Sequence, residues 1–126
     1  MIHEELTEKI LSACFVVSNE LGCGFLESVY QKALLIILEE MGLKAQSQMP
    51  LNVMFHDRPV GEFYPDIIVE NAVLLELKAV KSLAPEHFAQ VMNYLKATRI
   101  EVGFLINFGN PKLEYRRFNN QFLLNP

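Results

Sequence analysis

The stretch 73–80, VLLELKAV, constrains this chain more than any other. It is aliphatic enough to be a strand buried on both faces, yet it carries Glu76 and Lys78 two residues apart. Side chains alternate along a strand, so these two charges share one face. Ionised groups are seldom buried unless they are paired or bind something. A second acid, Asp66, stands ten residues before Glu76 and directly after Pro65. Two acids and a lysine on neighbouring strands can hold a divalent cation and act on a phosphodiester.

The rest of the chain supplies an architecture around that strand. Ile2, Leu6, Ile10, Cys14, Val17 and Leu21 recur at three- and four-residue steps, an amphipathic helix broken by Gly22-Cys23-Gly24. A second helix is predicted over 26–41, with Val29, Ala33, Leu34, Ile37 and Met41 facing inward and Gly42 as its stop. The period then changes. Residues 51–56 alternate as a strand, Asp57-Arg58-Pro59 reads as a turn, and 60–69 as one strand bent at Pro65. A turn at Glu70-Asn71 leads into 73–80, and Pro85 opens a helix to about Thr98. Strands over 102–108 and 113–118 flank a Gly109-Asn110-Pro111 turn. The order is ααβββαββ, a single domain over 1–126 of the α/β (α+β) class with a mixed sheet.

Composition narrows what such a domain does. It is 51% hydrophobic and 21% charged, ordinary for a globular protein. The longest apolar run, 33–38, is too short to cross a bilayer. The acidic start, Met1 to Glu5, lacks the basic and apolar regions of a signal peptide, so a cytoplasmic protein is expected. Cys14 and Cys23 suggest neither a disulfide framework nor a zinc cage, and Cys14 falls on the apolar stripe of the first helix. The net charge of −4 excludes strong non-specific coating of nucleic acid, where phosphate contacts dominate affinity. A local catalytic groove stays compatible, because metal-binding acids themselves lower the net charge.

Asp66 and Glu76 can serve one cation only from the same face of their hairpin. A two-residue turn at Glu70-Asn71 pairs Asp66 with Leu75 and sends Glu76 to the other face. A three-residue loop, 70–72, pairs Asp66 with Glu76, and Asn71 tolerates the left-handed backbone such a loop needs. A bulge at Pro65 would serve equally, so one of the two is expected. The carboxylates would then hold Mg²⁺, while Lys78 orients or deprotonates a water or stabilises transition-state charge. The plain alternative is an exposed Glu76–Lys78 pair on a strand with one wet face.

Other candidates surround this set. Glu27 is either a first-turn acid favoured by the helix dipole or a third acid at the mouth of the site, with Tyr30 on the same helical face. His87, Gln90 and Tyr94 share a face of the helix that follows the candidate strand. Gln90 and Tyr94 would hold a phosphate oxygen or a water, and His87 would be a general acid or metal ligand. Lys96, Arg99, Lys112, Arg116 and Arg117 read as solvated charges.

Pro65-Asp66, nine intervening residues and Glu76-Leu77-Lys78 resemble the motif of the PD-(D/E)XK nuclease superfamily. Gln90 and Tyr94 resemble the Q-x-x-x-Y element of its exonuclease-like branch. Gly24, Glu27 and Tyr30 fit the G-x-x-E-x-x-Y signature of a small group within it, to which 85–95 and 102–109 are also similar. The resemblance runs from about Leu6 to Phe118. It implies a restriction-endonuclease-like core, with a mixed central sheet flanked by helices, and a Mg²⁺- or Mn²⁺-dependent site. In that site Asp66 and Glu76 bind metal with the backbone carbonyl of Leu77, and Lys78 is the catalytic lysine. Glu27 is an auxiliary acid, and Gln90 and Tyr94 position the substrate, DNA or RNA. The alternative is a non-catalytic module of a nucleic-acid-processing assembly. The apolar tail 118–124 would dock on the domain or on a second subunit, in a homodimer or with a partner protein.

Overall fold

The computed structural model describes residues 2–123; Met1 and residues 124–126, including Leu124 of the apolar tail, lie outside them. Two helices open the chain, α1 (Glu4–Leu21) and α2 (Glu27–Glu40). Five strands follow: β1 (Ala45–Ser47), β2 (Leu51–Phe55), β3 (Arg58–Phe63), β4 (Ile67–Val69) and β5 (Val73–Lys78). The chain then forms α3 (Pro85–Ala97), β6 (Val102–Asn107), β7 (Glu114–Asn119) and a short 3₁₀ turn, Gln121–Leu123. The main sheet runs β1-β4-β5-β6-β7 and is mixed, with β5 and β6 parallel and the other pairs antiparallel. The parallel pair requires a crossover, which α3 provides.

Alternation along β5 divides the core. Val73, Leu75 and Leu77 face α1 and α2, where they meet Ile10, Cys14, Tyr30, Leu34 and Leu38. Leu74 faces α3 with Ile68, Leu105, Val91 and Leu95. That α3 lies so close depends on Gly103 of β6, where a Cβ would sit 3.0 Å from Val91 and 3.2 Å from Leu95. Cys14 is a core residue, and burial pushes its thiol up to about 12. On α2 the buried line is Tyr30, Leu34 and Leu38 at four-residue spacing, whereas the expected inner residue Met41 is exposed.

Three expectations are corrected. The predicted strand over 60–69 is two strands in different sheets, because Tyr64-Pro65-Asp66 breaks it and β3 pairs only with β2. The turn expected at Asp57-Arg58-Pro59 falls at His56-Asp57, both with positive φ, as a two-residue hairpin turn requires. Pro59 sits in a strand after all, beside a register shift on an unpaired edge where its missing N–H costs nothing. Strand β1 had no periodic signal, being three mostly polar residues held by pairing with β4.

The basic residues are also less free than expected. Arg117 donates to Thr7 Oγ1, the Ile2 carbonyl and Asn119 Oδ1, tying the N-terminus to β7. Arg116 lies over the Phe88 ring and Lys96 over Phe122, so the described part of the C-terminal tail docks on its own domain. No helix among the described residues is long and apolar enough to cross a membrane.

Candidate metal centre

The β4–β5 register decides whether the two acids meet. Ile67 pairs with Leu75 and Val69 with Val73, so the loop is the three residues 70–72 and the next position sets Asp66 opposite Glu76. Glu70 and Asn71 both take positive φ, the left-handed backbone expected at Asn71. Each acid accepts a backbone N–H from the strand segment that carries the other. Asp66 N–H donates to Glu76 Oε1 at 3.1 Å, and Leu77 N–H donates to Asp66 Oδ2 at 2.8 Å. Both carboxylates lie on the α3 face of the sheet.

Glu76 is only 4% exposed, which ends the reading of it as half of a solvated ion pair. Burial, then the charge of Asp66, pushes its carboxyl up to about 8. Asp66 is also raised, mainly by burial, with the charge of Glu27 adding to the shift and the Leu77 N–H and Lys78 opposing it. Two carboxyls this close and this dry share a proton near neutral pH. Lys78, half-buried on the same face, draws both toward ionisation.

A stability consequence follows from the sign of the Glu76 shift. A raised acid binds its proton more tightly in the folded state, so folding is weakened as pH rises from about 4.5 to about 8. In EDTA the protein should lose stability across that window, and Glu76→Gln should lose less, keeping only the part due to Asp66. At pH 9 the variant should be the more stable by on the order of a few kcal/mol. Thermal melts of both proteins between pH 4 and 9 measure this, and parallel curves would contradict it.

Pro65 matters to a third oxygen. Carried two residues further, the register sets Pro65 opposite Leu77, and proline has no N–H to give to the Leu77 carbonyl. The N–H and C=O of one strand residue point to the same edge, so that carbonyl lies on the Asp66 side. The donor set is therefore two carboxylates and a backbone oxygen. This fits a hard cation of the Mg²⁺ type, which takes one or two carboxylates and completes its shell with water and substrate phosphate. Among the described residues no three His, Cys, Asp or Glu side chains gather as a metal cluster. Glu27 is thus near enough to act on Asp66 through its charge, but it does not join the other two acids as a third ligand.

Helix α2 reaches this edge through a pinned loop. The Tyr30 hydroxyl donates to the Gly22 carbonyl at 2.8 Å and accepts from Phe25 N–H at 3.2 Å, while its ring stacks on Phe108 at 4.8 Å. Tyr30 is fully buried and sets where Glu27 begins its helix. Tyr30→Phe should cost about 1 kcal/mol, read by urea denaturation, because the Gly22 carbonyl and the Phe25 N–H each lose a part-buried hydrogen bond. One turn beyond Glu27, Gln31 donates to the Asp66 carbonyl at 3.1 Å. Sequence reasoning missed Gln31; its spacing of four from Glu27 was the available signal.

Helix α3 contributes unequally. Gln90 Nε2 donates to the Tyr94 hydroxyl at 2.9 Å. Burial and the charge of Glu76 raise Tyr94, which places that hydroxyl in the field of the carboxylate pair. His87 serves locally: its Nδ1 accepts Ala84 N–H at 3.0 Å and closes the start of the helix. Its position at the third residue of the helix, beside a residue with no capping side chain, explains that role better than catalysis.

A second missed residue secures the end of β5. Asn107, fully buried, accepts Val80 N–H with Oδ1 at 3.0 Å and donates to the Val80 carbonyl with Nδ2 at 2.9 Å. The side-chain amide acts as an extra rung of backbone just past Lys78. Phe108 N–H adds a bond to the Lys78 carbonyl at 2.8 Å.

The fold has counterparts among known proteins. No curated protein matches the chain. The crystal structure of a protein designated SSO0001 superposes with a TM-score of 0.59 at 18% identity, covering 93% of this chain and 59% of that one. The chain thus spans about three-fifths of the length of that protein and shares its fold. The family model of the PD-(D/E)XK nuclease superfamily matches residues 4–118, which takes in the five-stranded mixed sheet, its flanking helices and all three motif residues. The chain belongs to the PD-(D/E)XK nuclease superfamily.

Proposed function

We propose that this protein is a cytoplasmic, metal-dependent nuclease that hydrolyses phosphodiesters of DNA or RNA, with 1–126 as its single nuclease domain. The observation that carries the reading is the buried Asp66–Glu76 pair, opposed across a three-residue hairpin with Lys78 on its face. A carboxylate pair kept dry and partly protonated is unfavourable as packing alone and favourable as a place for a cation. Asp66, Glu76 and the Leu77 carbonyl would hold Mg²⁺ or Mn²⁺. Bound there, the cation supplies Lewis-acid polarisation of a phosphoryl oxygen.

The chain's own groups do the remainder. Lys78 offers its ammonium to the negative charge that develops on the phosphoryl oxygens. Gln90 orients the Tyr94 hydroxyl, and the pair positions a substrate phosphate. Glu27, exposed at the mouth of the site, is an auxiliary acid that orders attacking water. Together with Gly24 and Tyr30 it supports membership of the small G-x-x-E-x-x-Y group.

Titration of Mn²⁺ into the protein by calorimetry, with and without a short oligonucleotide, tests the reading. Binding that Glu76→Gln removes is the expected result, and the oligonucleotide should strengthen it by completing the ion's shell. Absence of binding under both conditions would leave the fold as a non-catalytic interaction module.

A further inference from the structure

Tyr94 belongs to two places. Its hydroxyl stands by the carboxylate pair, while its ring forms a wall of a separate cleft of about 610 Å³ between α3 and the β2–β3 hairpin. The cleft is within the size range of small-ligand sites. Val53, Met54 and Phe63 line it from the hairpin, and Asn93 and Lys96 from the helix. Neighbours on a strand normally point to opposite faces, yet Val53 and Met54 both line the cleft. The register shift between them accounts for this, since a bulge re-aims a side chain. The strands of that hairpin are exposed over most of their length, with Phe63 buried at the end of β3 and Leu51 packed against the α3-side core.

The lining combines aromatic and aliphatic groups with an amide and a cation. Phe63 and Tyr94 stack on each other at 4.2 Å and 14°, so each gives one ring face to the other and a base can meet only what the pair leaves open. Met54, 54% exposed, is a flexible apolar side chain that adapts to a planar ring. Asn93 offers a donor and an acceptor in one plane, and Lys96 a cation. These are the needs of a nucleobase with its adjoining phosphate. In a duplex the base faces are already stacked and the protein meets chiefly phosphates, which a chain of net charge −4 grips poorly. An unpaired base gives this protein a hold that does not depend on charge. On the hairpin side the cleft is lined by Val53, Met54 and Phe63, which give a ribose 2′-hydroxyl no partner, so a deoxyribose laid there leaves no polar group unpaired.

We propose that the cleft between α3 and the β2–β3 hairpin binds an unpaired base of single-stranded DNA and delivers the adjoining phosphodiester to the Asp66–Glu76–Lys78 site. The delivery rests on the nuclease reading, but the binding does not, because it needs neither metal nor cleavage. Fluorescence anisotropy of the whole protein in EDTA tests it with labelled oligo-dT, a duplex of equal length and oligo-U. Oligo-dT should bind about tenfold more tightly than either. Met54→Glu and Asn93→Ala, both at exposed positions, should each weaken oligo-dT about fivefold or more while leaving Mn²⁺ binding and the thermal melt unchanged.

Equal affinity for the duplex or for oligo-U, no binding at all, or variants that bind oligo-dT like the parent would each overturn the inference. A protein that binds Mn²⁺ through Glu76 yet ignores oligo-dT would lose this cleft and keep the nuclease reading. One that binds oligo-dT through Met54 without binding Mn²⁺ would keep the cleft and lose the nuclease.

Discussion

Alanine at Asp66, at Glu76 or at Lys78 should each reduce phosphodiester cleavage by at least about 10²–10³-fold, the effect of deleting one group that meets transition-state charge. The three losses should differ in kind. On the proposed reading Asp66→Ala and Glu76→Ala would each remove an oxygen ligand, so Mn²⁺ binding and cleavage should fall together. Lys78→Ala leaves both carboxylates in place, so Mn²⁺ should still bind while cleavage is lost. The fold should survive each change. Asp66 anchors one backbone N–H, that of Leu77, and its removal costs about 1 kcal/mol. Glu76 is a buried acid whose ionisation the fold opposes. Single-turnover cleavage with circular dichroism melts of the same preparations measures both properties. Cleavage that persisted in all three variants would remove the proposed site.

Gly109→Ala should destabilise the protein by about 3 kcal/mol or more. A Cβ there would stand 2.6 Å from the Val80 carbonyl carbon and closer still to its oxygen and nitrogen. The obstacle is backbone, and it cannot turn aside. Val80 is held at both its N–H and its carbonyl by Asn107, and Gly109 N–H donates to the same Asn107 Oδ1 at 3.0 Å. Relief must therefore move the segment that follows Lys78, so cleavage should fall with stability. The melting temperature should drop by on the order of 10 °C or more. Gly61→Ala is the control, because nothing lies within 4 Å of its added Cβ and its effect should stay within about 0.5 kcal/mol. A Gly109→Ala protein that melted like the parent would show that the Asn107–Val80 clamp yields.

Much of the site could be read before the fold was known. The charges of Glu76 and Lys78 in an aliphatic strand mark a buried place with a purpose, and antiparallel pairing is arithmetic once the loop length is fixed. That loop is three residues, so Asp66 and Glu76 face each other. The helices were legible for a similar reason, since a three- and four-residue apolar repeat is local information. Short segments resisted. Residues 45–47 carry no period of their own, and 60–69 read as one strand because the break at Pro65 takes its meaning from two different partners.

By itself, then, the sequence determined the helices, the central strand and the family motif, all of which depend on neighbours within about a dozen residues, while the observed register set the two acids face to face. Tertiary structure decided the rest. Gln31 finds Asp66 across 35 positions, and Asn107 finds Val80 across 27. Glu27 is held out of the ligand set, and His87 is spent on its own helix start. The cleft beside Tyr94 exists only where a separate two-stranded sheet meets α3. A polar side chain has no periodic signature, so its partner is settled by which distant backbone arrives beside it when the core closes.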